Sequence, residues 1–109
     1  MEQLKKKKLW EQGFVKPYYS ELTDIIRIYL ENRWNIYAME MVSSEIISEV
    51  KKKEIDPETL DILQKLLHSA DLVKFAKWNP MPDDHDRAFK NASSFIELSA
   101  ERIETSNLN

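Results

Sequence analysis

The densest run of potential ligands in this sequence is Asp83-Asp84-His85-Asp86, where carboxylates and an imidazole stand in consecutive positions. Hard oxygen donors beside an imidazole suggest a metal ion. Neighbours on a helix point about 100° apart, however, and the run has neither the spaced Asp, Gly and terminal Glu of a calcium loop nor an H-E-x-x-H pair. The run is therefore expected to cap a helix and to hold no metal. His68 and Asp71 stand three apart, a spacing that lets a carboxylate orient an imidazole as a general base. No Ser or Cys nucleophile can be set against them from the sequence, so an exposed helix pair is the favoured reading. Glu21, Asp24 and Glu31 can line one carboxylate face, but no Glu-x-x-His unit of the di-iron bundles accompanies them, and they read as a solvated face.

Tyr18, Tyr19, Tyr29, Trp34 and Tyr37 form a dense aromatic set. Aromatics among cations can stack on bases, but at helical spacing and with mixed neighbouring charge these read as core. Trp78 precedes Asn79-Pro80-Met81-Pro82, and a Trp and a Met on a rigid loop can anchor a partner; the alternative is a satellite contact beneath the loop. The candidate partner-binding residues are Trp78, Pro80, Met81 and Pro82. Lys5, Lys6, Lys7 and Lys8 make the one cationic run, read either as a solvated arm or as a basic segment beside a membrane.

Behind these groups stands a chain of 109 residues, 42% of them hydrophobic, with one Gly, four Pro and no Cys. That length supports a single core, and the hydrophobic content is too high for general disorder. With Gly13 alone to supply hairpin turns, a sheet protein is disfavoured. The absence of Cys excludes disulfides, a thiolate zinc site and a thiol nucleophile, and it suits a reducing compartment. No apolar run reaches the ~18 residues of a membrane helix, and the start Met1-Glu2-Gln3-Leu4-Lys5 lacks a signal-peptide core, so the chain as it stands is expected to be soluble. The net charge of -3 divides unevenly: residues 1–16 carry +3, 17–82 carry -3 and 83–109 carry -3. Nucleic-acid surfaces need clustered cations on one face, and only the N-terminal end is basic.

The elements that position these groups read as helices throughout. A short amphipathic helix over Glu2 to Val15 places Leu9, Trp10 and Phe14 on one face, ending or bending at Gly13. From Pro17, Tyr18, Leu22, Ile25, Ile26, Tyr29, Leu30 and Trp34 recur at spacings of three and four. The stretch Asn35 to Met41 is apolar but aperiodic. Ser43 or Ser44 is then expected to cap a short helix through Ile46, Ile47 and Val50, ending in Lys51-Lys52-Lys53. Asp56 as N-cap and Pro57 in the first helical position open a long central helix to about Trp78, buried through Leu60, Leu63, Leu66, Leu67, Ala70, Val73, Phe75 and Ala76. Asp71, Lys74 and Lys77 leave a polar stripe along it. After the proline break, Asp83 or Asp84 caps a last helix whose buried face is Phe89, Ala92, Ile96, Ser99 and Ile103. The expectation is an all-α fold: one domain over 1–109, a bundle of four or five helices with short loops, a basic end at 1–7 and a frayed tail at 105–109.

Lys8-Leu9-Trp10-Glu11-Gln12-Gly13, followed by the run from Val15 to Ile26, resembles the segment after the membrane helix in certain bacterial single-span proteins of unknown function. Those proteins are encoded in aerotolerance (Bat) operons beside a MoxR-type AAA ATPase and von Willebrand A-domain proteins. Ala38-Met39-Glu40-Met41, Glu45-Ile46 and the run Ala70 to Lys77 are similar in the same order, so the likeness spans about Lys8 to Leu98. It implies the cytoplasmic portion of a membrane-anchored protein, with Lys5 to Lys8 at the inner face of the membrane, as the positive-inside tendency expects. It supplies no catalytic residues to carry over, and no motif in the chain fixes a cofactor, so none is expected. The leading expectation is a non-enzymatic protein-interaction or scaffolding module with an unidentified protein partner. Two others stand beside it: a helix-turn-helix nucleic-acid binder built from Ser43 to Lys53 and Asp56 to Trp78, disfavoured by the acidic balance of those helices, and a bundle enzyme using His68.

Overall fold

The computed structural model describes residues 15–76 and 80–108, with side chains described through 100. It is an all-α bundle: α1 spans Val15–Trp34, a 3-10 turn Ala38–Glu40, α2 Ser43–Lys51, α3 Pro57–Phe75 and α4 Pro82–Leu108. No strand occurs among the described residues. The sequence-predicted helix over Glu2 to Val15 lies outside them up to residue 14, with Val15 opening α1 instead, and the basic run Lys5, Lys6, Lys7 and Lys8 lies outside them as well.

In α1, Tyr18, Leu22, Ile26 and Leu30 recur every four residues and are buried, with Tyr19 and Thr23 filling the adjacent row. A stripe of that width must be covered, and α3 and α4 cover it. The helix closes where Asn35 adopts φ 57°, with its N–H donating to the Glu31 carbonyl at 3.0 Å. Asn is among the few side chains tolerated in that left-handed position.

The aperiodic stretch after α1 folds into the 3-10 turn because other groups satisfy its backbone. The Arg27 guanidinium donates to the carbonyls of Ala38 at 3.2 Å and Met41 at 2.9 Å. The Met39 N–H donates to the Glu31 carboxylate at 3.3 Å, so Glu31 belongs to this connection and not to a purely solvated face. Asp24 is likewise half-buried. Ile36 and Ala38 enter the core, whereas Tyr37 is 73% exposed, contrary to its expected place there. It lies in the connection, beyond the reach of helical periodicity.

Val42, not Ser43 or Ser44, occupies the N-cap of α2, and the Glu45 carboxylate accepts the Val42 N–H at 3.0 Å. Ser43 falls inside the helix with its hydroxyl buried and without a hydrogen-bond partner among the described residues. Ile46 and Val50 face inward. Asp56 and Pro57 open α3 as the sequence predicts, and α3 packs against α1, α2 and α4. Leu63, Leu66, Leu67, Ala70 and Val73 are buried, joined by Thr59, and Leu60 is half-buried. Phe75, expected in the core, is 80% exposed, and Ala76 is exposed beside it. Two residues advance a helix by about 200°, so Phe75 points away from the face that Val73 occupies. The helix stops at Phe75, short of Trp78, with the Ala76 N–H on the Leu72 carbonyl.

Asp84 caps the start of α4 from within its first turn, but neither it nor Asp83 occupies the N-cap position. Met81 stands there instead: its carbonyl accepts the Asp84 N–H at 2.9 Å, and its N–H donates to the Asp84 carboxylate at 2.8 Å. The buried face is Ala88, Ala92, Phe95 and Ser99, one position off from the expected Phe89 and Ile96, which flank it half-buried. Phe95 packs edge-on against Tyr29, and the Tyr29 and Ser99 hydroxyls are hydrogen-bonded. The side chain of Ile103 lies outside the described residues. The backbone of α4 stays helical to Leu108, past the expected end at Thr105. At 1.5 Å per residue its 27 residues span about 40 Å, and the molecule's long axis is 46 Å.

Tyr18 neighbours His85, and Tyr29 neighbours Phe95 and Ser99, so α1 and α4 run side by side in the same direction. Lys74, near the end of α3, reaches Thr23 in the middle of α1. The first turns of α1 and α4 therefore meet at one end of the bundle.

Candidate functional site

That end of the bundle holds the features with most chemical content. His85, placed among acidic residues by sequence, is 4% exposed and packs against the rings of both Tyr18 and Tyr19 at centroid distances of 6.0 and 5.7 Å. The two tyrosine rings meet edge-on at 5.5 Å. The Tyr18 hydroxyl donates to the His85 carbonyl at 3.4 Å, and the Tyr19 hydroxyl donates to the Asp84 carbonyl at 3.5 Å. His85 Nδ1 lies 3.3 Å from the Tyr19 hydroxyl oxygen.

Local sequence explains the assembly. Two tyrosines in succession widen the buried face of α1 at its start. His85 lies three residues before Ala88 and seven before Ala92, on the buried stripe of α4. The three-to-four spacing from Ala88 and Ala92 was the signal available for His85; the flanking acids masked it. Burial pushes the Tyr18 hydroxyl up to about 12, with the Asp86 carboxylate adding to the effect. Tyr19 is raised further by burial, then by Tyr18 and Asp84, against an opposing pull from Arg87. Burial lowers His85, while the carboxylates of Asp84 and Asp86 act the other way. Each shift favours the neutral form, as a low-dielectric site requires.

A second polar contact ties α1 to α3. The Lys74 ammonium donates to the Thr23 hydroxyl at 3.3 Å, and that hydroxyl donates back to the Tyr19 carbonyl at 3.0 Å. Burial lowers the Lys74 ammonium, Arg27 reinforces the shift, and Asp24 and Asp71 oppose it. Lys74 is thus a half-buried tie between helices.

The other sequence-predicted residues are dispersed. Of the loop, Trp78 lies outside the described residues, Pro80 is half-buried, and Met81 and Pro82 are exposed. Met81 is 69% exposed although its backbone is held by both bonds to Asp84, whose other oxygen accepts from Arg87 at 2.7 Å. An apolar side chain is thus carried on a fixed corner, with exposed Phe75 on the preceding helix end. His68 is exposed on α3, and among the described residues no hydrogen bond joins it to Asp71. No group of His, Asp and Glu suited to a metal ion occurs among the described residues. The exposed side chains of α3 include Glu58, Asp61, Lys65 and His68, and Lys65 is paired with Asp61 at 3.0 Å. Among the described residues, no helix is long and apolar enough to cross a membrane.

Comparison of the chain with family models, with curated proteins and with solved structures finds no match.

Proposed function

We propose that this chain is a non-catalytic protein-interaction or scaffolding module that docks an unidentified protein through the corner between α3 and α4, from Trp78 through Pro80, Met81 and Pro82. The observation that carries the reading is Met81: an exposed, adaptable thioether whose own backbone N–H and carbonyl are both bonded to Asp84. The resemblance to the segment following the membrane helix in the Bat-operon proteins supports a setting at the inner face of a membrane, with Lys5, Lys6, Lys7 and Lys8 toward the lipid.

A nucleic-acid role finds less support. The helix that would enter a groove, α3, is the one packed against three others, and its exposed carboxylates Glu58 and Asp61 would face phosphate. The test is recovery of partners from the native host with the intact chain against the double variant Trp78→Ala, Met81→Ala, each first checked for unchanged helicity. Loss of a specific partner with the variant is the expected result; equal recovery removes the corner from the proposal. A low-salt gel shift is expected to show no salt-dependent retardation, and strong retardation would favour the nucleic-acid reading.

A further inference from the structure

We propose that the Tyr18–Tyr19–His85 cluster is an acid-sensitive latch, which joins the first turns of α1 and α4 at neutral pH and loosens that end of the bundle when His85 takes up a proton.

The geometry supplies both halves of the device. Closed, the latch is a set of polar contacts at the start of the α1–α4 seam: the Tyr18 and Tyr19 hydroxyls reach across to the carbonyls of His85 and Asp84, and the Tyr19 hydroxyl also meets His85 Nδ1. Tyr19 has one hydroxyl hydrogen for two acceptors, the Asp84 carbonyl and an unprotonated Nδ1. When the ring is protonated, Nδ1–H donates to the Tyr19 oxygen and the Tyr19 hydrogen goes to the Asp84 carbonyl. The Nδ1 contact survives that exchange, but the seam now contains a cation.

The groups around the ring decide whether that cation is tolerated. Among the described residues, the ring meets from α1 the phenols of Tyr18 and Tyr19, which are neutral across the acid and neutral range even at their ordinary value near 10. From α4 it feels the carboxylates of Asp84 and Asp86, and Asp84 is already engaged by the Met81 N–H and by Arg87. On α3, the charged groups Lys74 and Asp71 lie toward Thr23. His85 is also in the first turns of α4, where the helix dipole disfavours a cation. Burial and dipole thus outweigh the two carboxylates, in agreement with the lowered proton affinity of the ring. A buried cation of this kind is relieved by exposing the ring to water, which separates α4 from the tyrosines of α1.

The sign is fixed by that lowering. As pH falls below the ordinary His value near 6.5, states with His85 exposed bind the proton first and gain population; the gain stops growing once the buried ring itself is protonated. The test uses the full chain, following the His85 ring by NMR together with amide hydrogen exchange at about pH 7.5 and about pH 5.0, corrected for intrinsic exchange. Amides of residues 18–24 and 85–90 are expected to exchange about tenfold faster at the lower pH, with core amides of α3 such as Leu66 and Leu67 changing less. His85→Gln should abolish the pH dependence. Should that variant fail to fold, Tyr19→Phe, which removes the Nδ1 contact and keeps the ring, provides the second arm and should shift the pH at which exchange accelerates. Equal acceleration in α3 and at the latch, unchanged behaviour in both variants, or a His85 ring that titrates without change in the neighbouring amides each overturns the latch.

Discussion

Glu54 holds φ 55° in the turn between α2 and α3, a left-handed conformation that costs a residue with a Cβ about 1–2 kcal/mol. Part of any gain on replacement by Gly is returned through the greater freedom of the unfolded chain. Glu54→Gly is therefore expected to stabilise the protein by about 0.5–1 kcal/mol, measured by urea unfolding. At Ser43 the expectation inverts the usual rule for a serine near a helix start. A capping serine replaced by Ala would cost about 1 kcal/mol, but the Ser43 hydroxyl is buried with no hydrogen-bond partner among the described residues. Ser43→Ala should be neutral or slightly stabilising in the same measurement, and a loss near that of a cap would restore Ser43 to the capping role.

The 3-10 turn Ala38–Glu40 depends on α1 more than on its own residues. Arg27 holds two of the connection's carbonyls through one guanidinium nitrogen, and charged hydrogen bonds of this kind are worth about 1.5–3 kcal/mol when lost. Arg27→Gln should destabilise by that order and accelerate amide exchange across residues 36–41 first; exchange that rises only with global unfolding would deny Arg27 this local role. The same connection marks where sequence periodicity stops being informative. The period of Tyr18, Leu22, Ile26 and Leu30, and the Asp56-Pro57 start, are local signals, and both elements stand where the sequence places them. The connection after Asn35 has no period because its order comes from the Arg27 side chain, which lies eleven and fourteen residues in sequence from the carbonyls it holds. The caps at Val42 and Met81 were illegible for a related reason: the acid reaching back, Glu45 or Asp84, lies inside the helix, so the capping position itself carries no polar side chain. His85 was hidden by its neighbours: three exposed or half-buried aspartates obscure the apolar register that buries it.

For the molecule as a whole, the paired tyrosines set an alkaline limit. Tyr18 is raised from 10.0 to about 12, so above pH 10 the unfolded chain releases this proton before the folded one does. The stability the neutral phenol contributes is complete below pH 10 and is lost as pH climbs toward 12, and the raised Tyr19 extends the same trend. Thermal melts from pH 9 upward should show a falling Tm, and Tyr18→Phe should flatten the slope. An unchanged slope in that variant would mean that Tyr18 ionises as freely folded as unfolded.

The shared direction of α1 and α4 has a kinetic consequence. Tyr29 and Ser99 are 70 residues apart in sequence, and Tyr18 and His85 are 67 apart, yet these pairs seal one seam. Closing loops of that length is entropically costly and raises the contact order of an otherwise locally connected helical chain. During synthesis, α1, α2 and α3 emerge with the α4-facing side of α1 still open to water. The seam between α1 and α4 can close only once α4 has left the ribosome, which makes α4 the gate on that step of folding.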